Sequence, residues 1–187
     1  MKKLRYGLLF LSLFVITSLP TGCSLFSGLD DAQTTSVTFL NSYFAKSTDP
    51  SAEERYQTMS SLVSNKFENN LLQPEYKKNM LKFIQKFMTN GVSKPYFIAD
   101  NPNDPQTETR RSIIARFPKG TFTEANAVIG INGKYNKADS EAYAILTLNK
   151  ESDSWKIIDL ENIDIVKEKI QKNKLEWIEV KPTDYLD

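Results

Sequence analysis

The sequence predicts an α+β domain, with N-terminal helices packed on a curved antiparallel sheet of four to six strands. Two observations predict this class. Apolar residues recur at helical spacing before Gly91 and alternate with polar residues after it. A group of helices followed by a group of strands, without alternation between the two, is typical of α+β proteins. The expected organisation is a signal peptide (1–22), a tether (23–30), the domain (31–165) and a C-terminal helix or tail (166–187).

The N-terminal segment has the composition of a secretory signal. Three basic side chains lie within the first five residues, and residues 7–19 are almost wholly apolar. The following Leu-Pro-Thr-Gly-Cys at 19–23 resembles the lipobox of bacterial lipoproteins, although Pro20 stands where that family prefers an aliphatic residue. The resemblance implies cleavage between Gly22 and Cys23 and attachment of diacylglycerol to the Cys23 thiol.

A second interpretation of the same segment is an uncleaved anchor from about Tyr6 to Phe26. Its length approaches the roughly 20 residues that cross a bilayer, but Pro20 and Gly22 weaken it as a helix. Both interpretations place the rest of the chain at the extracytoplasmic face of the cell membrane. A diacyl pair, with or without a third acyl chain such as palmitate, provides the two signals that stable anchoring needs.

Composition limits the chemistry of the remaining 165 residues. Residues 1–22 hold three of the 24 basic residues and none of the 23 acidic ones, so the rest is slightly acidic. A nucleic-acid partner is therefore not expected. The chain has no histidine and one cysteine, which removes the usual ligands of zinc, haem and iron–sulfur centres and the usual nucleophile–base pairs. We expect no cofactor, no metal and no enzymatic activity.

Two helices are expected near the start of the domain. The first begins at Asp30 or Asp31 and ends near Lys46, with Asp30 and Gln33 in a capping-box arrangement. The second is expected to have Asp49 as its N-cap and Pro50 at its first position.

The third helix gives the clearest helical pattern, over Pro74–Met88, with Asn90-Gly91 as its stop. A short helical turn is expected before it, at Asn65–Leu72. Lys78, Lys82 and Lys86 follow one another at intervals of four residues along the third helix. Such a stripe can face anionic lipid headgroups, whereas the simpler interpretation is the solvated side of an amphipathic helix.

The second half of the chain predicts strands. They are expected at Ser93–Ala99, Thr107–Phe117, Ser140–Asn149 and Trp155–Ile163, with one or two more within Thr121–Tyr135. Asn132-Gly133 is a hairpin signal, and residues 136–140 are an equally good place to turn. A short charged helix is expected at Ile165–Lys174.

The last residues, Leu175–Asp187, form a tail whose apolar side chains are expected to be exposed: Trp177, Ile178, Val180 and Tyr185. Two interpretations remain open. The tail folds back as an added strand, or it presents a hydrophobic peptide to the sheet edge of a partner.

The layout resembles the cone-shaped fold of nuclear transport factor 2 and ketosteroid isomerase. The segments that carry the resemblance are Phe39–Phe44, Leu62–Phe67 and the final strand Trp155–Asp159. Within that superfamily, the chain is similar to the scaffold component of conjugative type IV secretion systems. This resemblance implies a role in assembly, contacts with other secretion-channel or membrane proteins, and self-association.

Two alternatives to the assembly role follow from the cone fold. One is a small-ligand binding or sensing lipoprotein that uses the pocket of the cone. The other is a ketosteroid-isomerase-like enzyme, for which a carboxylate and a tyrosine would suffice. Its candidate residues are Asp100, Glu108, Tyr143 and Asp159. A filled pocket, with Phe83, Phe87 and Tyr143 packed inward, is expected for a scaffold.

Overall fold

The computed structural model describes residues 28–67, 72–122, 141–162 and 175–186. Several sequence-based predictions lie outside these residues. They are the signal peptide with Gly22 and Cys23, most of the tether, the central residues of the helical turn expected at Asn65–Leu72, all but the first two residues of the strands expected within Thr121–Tyr135, the turn at Asn132-Gly133, and the helix expected at Ile165–Lys174.

The first helix, α1 (Asp31–Phe44), begins as predicted and ends two residues early. Asp30 Oδ1 accepts a hydrogen bond from the Gln33 amide at 2.9 Å, and Gln33 Oε1 accepts one from the Asp30 amide at 3.2 Å. This reciprocal pair satisfies two amides that a helix start leaves free. The capping box predicted from the sequence is therefore confirmed.

The second helix, α2 (Ala52–Leu62), has a different cap from the one predicted. Ser51, not Asp49, is its N-cap, and Glu54 Oε2 accepts hydrogen bonds from the Ser51 amide and hydroxyl at 2.8 and 2.7 Å. The Ser51 hydroxyl also accepts from the Glu54 amide. The Ser–Glu pair makes a full capping box. The helix therefore begins at Ala52, and Pro50 lies before it rather than at its first position.

The connection between α1 and α2 is organised by Arg55, whose side chain is fully buried. Its guanidinium donates to four backbone carbonyls in that connection, those of Ala45, Ser47, Asp49 and Pro50, at 2.9 to 3.4 Å. Carbonyl groups thus replace water around a charge that would be costly to bury alone. No local sequence pattern predicts this role of Arg55.

The third helix, α3 (Lys77–Asn90), follows a 3-10 turn at Pro74–Tyr76. The prediction is correct in place, although the first turn is tighter than an α-helix. Gly91 follows the helix where backbone segments meet closely. A Cβ atom there would lie 2.2 Å from the Phe44 carbonyl oxygen and 2.3 Å from that of Phe87. Only glycine therefore fits between the ends of α1 and α3.

Five described strands form an antiparallel sheet: β1 (Tyr96–Asp100), β2 (Arg110–Phe117), β3 (Ala142–Glu151), β4 (Ser154–Asn162) and β5 (Ile178–Val180). Their order is β4-β3-β2-β1-β5. The four strand predictions that fall on described residues, at Ser93–Ala99, Thr107–Phe117, Ser140–Asn149 and Trp155–Ile163, are right to within about three residues. The sheet also includes part of the C-terminal tail, so it extends beyond the predicted boundary at residue 165.

The helices pack on one face of this sheet, and the large hydrophobic core lies between the helices and the sheet. That core contains Tyr43, Phe44 and Phe87 from the helices and Phe117 from β2. A smaller cluster on the opposite face, here called the outer face, contains Ile114, Tyr143 and Ile145, with Leu175 and Trp177 packed against it. The predicted α+β class is thus confirmed: in the described ranges, three α-helices pack on a five-stranded antiparallel sheet, an arrangement consistent with a cone-like domain.

Candidate functional site

The space between helices and sheet is filled by aromatic side chains. The ring of Phe44 lies within 5.6 Å, centroid to centroid, of the rings of Tyr43, Phe87, Phe117 and Phe122. Edge-to-face arrangements at these distances are favourable for aromatic pairs. A cavity that remains among the described residues is about 10 Å³, which is the space of a single water molecule.

This remaining cavity has an apolar lining from α1, α2, α3 and β4: Phe39, Tyr43, Met59, Phe67, Leu72, Met80 and Leu160. Tyr43 is 1 % exposed, and its hydroxyl makes no hydrogen bond with the described parts of the chain. Burial accordingly raises the pKa of Tyr43 above its ordinary value.

The bulky residues expected to fill the pocket divide into two groups. Phe87 is in the core as predicted, and Phe83 packs against it while half-buried. The prediction for Tyr143 is wrong, because Tyr143 lies on the outer face. Its partner across the sheet, Arg116, explains the position, since directly paired residues share a face and the neighbouring Ala115 and Ala144 point into the core.

The outer face brings together a group of residues that the sequence analysis does not connect. Phe97 on β1, Arg116 on β2 and Tyr143 on β3 are consecutive partners across the sheet. The Arg116 guanidinium carbon lies 5.0 Å from the ring centroid of Phe97 and 5.2 Å from that of Trp177. The sequence signal for this group is the alternation along β2, which places Arg116 on the face opposite the core.

Tyr143 is tied into the same region by its hydroxyl, which donates to Glu141 Oε2 at 2.8 Å. Its pKa is raised to about 12, first by burial and then by the hydrogen bond and the charge of Glu141. The positive charge of Arg116 acts in the opposite direction.

The tail adopts the added-strand arrangement, with Tyr96 opposite Val180 and Ile98 opposite Ile178. The expectation that its apolar side chains are exposed is wrong. Val180 is 2 % exposed, and Trp177, Ile178 and Tyr185 are each half-buried against one of the two hydrophobic clusters. The tail is therefore not a free hydrophobic peptide in this structure. Part of the Trp177 side chain nevertheless remains accessible.

The lysine stripe lies on the solvent side of α3. Lys78 and Lys82 are exposed and Lys86 is half-buried, while Met80 and Ile84 on the opposite side of the helix are in the core. This is the amphipathic arrangement given as the simpler interpretation. Contact between the stripe and lipid stays a prediction.

The carboxylates considered for catalysis do not gather around a pocket. Asp100 is paired with Arg111 at 2.8 Å, and Glu108 and Asp159 are exposed. In the described ranges, every Asp and Glu is at least partly exposed. The loop after Asp100 is organised by the buried Asn101, whose amide donates to Asp104 Oδ2 and Ser112 Oγ.

Within the same ranges, no group of three or more acidic or cysteine side chains is arranged to hold a metal ion. A search of these ranges for helices with the length and hydrophobicity of a membrane span finds none.

Comparisons of the chain with protein-family models, curated proteins and solved structures give no match. Functional inference therefore depends on the residues themselves.

Proposed function

We propose that this chain is a membrane-anchored extracytoplasmic lipoprotein that serves as an assembly or accessory subunit of a conjugation or type IV secretion apparatus. It acts through contacts with other proteins. The lipobox-like segment ending at Cys23 supports the anchor, and the α+β architecture supports the comparison with secretion scaffolds.

The observation that carries this proposal is the close packing between the described helices and strands. Pockets that hold small molecules usually enclose about 300–1,000 Å³, whereas the cavity between the helices and β4 is about 10 Å³. The aromatic rings of Phe44, Phe87 and Phe117 occupy the centre of the domain. An interior of this kind supports action through the protein surface.

A small-ligand lipoprotein is the second candidate, and one observation favours it. Tyr43 is one of the residues that line the cavity, and its buried hydroxyl has no partner in the described chain. A ligand with one acceptor group would satisfy this hydroxyl if the helices moved apart. A ketosteroid-isomerase-like enzyme, the third candidate, draws no comparable support from the described carboxylates.

Deletion and complementation of the coding sequence in the native host test the assembly role. We expect transfer of conjugative DNA to fall by orders of magnitude on deletion and to recover with the wild-type chain. The variant Cys23→Ser is the matched test of the anchor and should restore transfer poorly. Unchanged transfer in the deletion strain would refute the assembly role and direct attention to a ligand for the Tyr43 cavity.

A further inference from the structure

Arg116 differs from Arg55 and Arg111 in having no oxygen acceptor among the described residues. Arg55 donates to four carbonyls, and Arg111 contacts the carboxylates of Asp30 and Asp100 at 2.9 and 2.8 Å. For Arg116, no carboxylate in the described ranges lies within ion-pair distance, and its buried Nε has no hydrogen-bond partner there.

Two aromatic rings, those of Phe97 and Trp177, instead contact the guanidinium of Arg116. Their centroids are 5.0 and 5.2 Å from its central carbon, which is the range of a cation–π contact. Such contacts hold the cation in place but leave its N–H donors unsatisfied. Because Arg116 is only half-buried, part of its side chain is accessible to an incoming acceptor.

Carboxylate and phosphate are the groups that match the planar donors of a guanidinium. Nearby negative charges disfavour phosphate more strongly than a carboxylate. Glu179 is the cross-strand partner of Phe97, and Glu141 lies against the Tyr143 hydroxyl. These acidic residues would repel a doubly charged phosphate or an anionic membrane more than a single carboxylate. The adjoining Trp177, which is half-buried, offers apolar contact beside the charge.

We propose that Arg116, held between Phe97 and Trp177, binds an aspartate or glutamate carboxylate of a partner protein. Arginine, tryptophan and tyrosine are the residues most enriched at the energetic centres of protein interfaces. The inference rests on the proposed function in one respect, because it takes the carboxylate from another subunit of the assembly.

Binding of a short acidic peptide to the purified full-length chain in detergent micelles tests this site. The probe is N-acetyl-Leu-Asp-Leu-amide, and the otherwise identical peptide with asparagine is the control. Trp155→Phe leaves Trp177 as the reporter of fluorescence, and the ¹⁵Nε resonance of Arg116 provides a direct second signal.

We expect the aspartyl peptide to change both signals in a saturable way and to bind about tenfold more tightly than the asparaginyl peptide, the scale of one charge-assisted hydrogen bond. Arg116→Gln should remove this difference, and Arg116→Lys should weaken it. Arg110→Gln, an exposed arginine on the same strand, is the matched control and should behave as wild type.

Four results would overturn the proposal: no saturable signal from the aspartyl peptide, equal binding of the two peptides, equal binding by Arg116→Gln in a folded protein, or stronger responses to inorganic phosphate or phosphatidylglycerol vesicles. Each variant is taken as folded if it unfolds on heating at the same temperature as the wild-type protein. These outcomes are independent of DNA transfer, so failure of the carboxylate site and failure of the assembly role are distinguishable.

Discussion

The hydroxyl of Tyr96 donates a hydrogen bond to Asn41 Oδ1 at 2.9 Å inside the core. The amide nitrogen of Asn41 donates to the carbonyl oxygens of Lys181 and Asp184, at 3.1 and 2.6 Å. One buried side chain on α1 thereby connects β1 with the turn that follows β5. The C-terminal tail is consequently an integral part of the domain.

This network predicts that Asn41→Ala loosens the tail. The substitution leaves the Tyr96 hydroxyl and two carbonyls without their partner, so we expect a loss of about 3 kcal/mol in the free energy of unfolding. Tyr96→Phe removes one donor and should cost about 1 kcal/mol. Denaturant titration measures both, and equal effects of the two substitutions would contradict the network.

The burial of Arg55 among four carbonyl groups predicts that the stability of the domain depends strongly on the shape of this side chain. Arg55→Lys keeps a positive charge but cannot reach four carbonyls at once, so we expect destabilisation by about 3 kcal/mol. Arg110→Lys serves as the exposed control and should cost less than about 0.5 kcal/mol. Thermal unfolding of the two variants makes the comparison, and similar transitions would be inconsistent with the role assigned to Arg55.

The close packing around Gly91 predicts that any added side chain there destabilises the domain. The φ angle of Gly91 is −76°, so an alanine meets no backbone penalty there, but its Cβ would collide with the carbonyl oxygens of Phe44 and Phe87. We expect Gly91→Ala to destabilise the domain by about 3 kcal/mol. Gly28→Ala is the control, since no described atom lies within 4 Å of its added Cβ; equal stability of the two variants would contradict the close approach.

Tyr143 predicts a loss of stability at alkaline pH. Its pKa is about 12 in the folded chain, mainly through burial, against an ordinary value of 10.0. Above pH 10 the unfolded chain releases this proton first, so the stability contributed by the neutral phenol is complete below pH 10 and is lost as the pH rises toward 12. Tyr143→Phe should make unfolding less pH-dependent across this interval, as measured by urea titrations. An unchanged dependence would show that Tyr143 is not the group responsible.

The anchor predicts a specific chemical form of the N-terminus. Intact-mass measurement of the membrane-extracted chain should give a polypeptide beginning at Cys23 with a diacylglycerol adduct, and Cys23→Ser should remain unacylated. A wild-type mass that includes residues 1–22 without an adduct would favour the uncleaved anchor.

Local patterns account for what the sequence predicts well. The Asp30–Gln33 capping box is encoded within four residues, and the alternation along β2 assigns Ile113 and Ile114 to opposite faces. The alternative cap at Asp49 is also locally plausible, and it fails because Ser51 and Glu54 satisfy each other more completely.

Long-range contacts account for what the sequence does not predict. β5 is only three residues long, and its partner β1 lies about 80 positions earlier in the chain. The aromatic contacts of Arg116 likewise come from two other strand regions, which meet it only in the folded sheet. Contacts between residues so distant in the sequence cannot be predicted from local periodicity.

Co-purification is the measurement that tests the assembly role most directly. The tagged full-length chain would be extracted from native membranes in mild detergent, and the proteins recovered with it would be identified by mass spectrometry. The account predicts that secretion-channel ATPases and membrane subunits are recovered with the wild-type chain and with Arg110→Gln, and in reduced amount with Arg116→Gln. Recovery of the wild-type chain alone, as an acylated monomer, would contradict it.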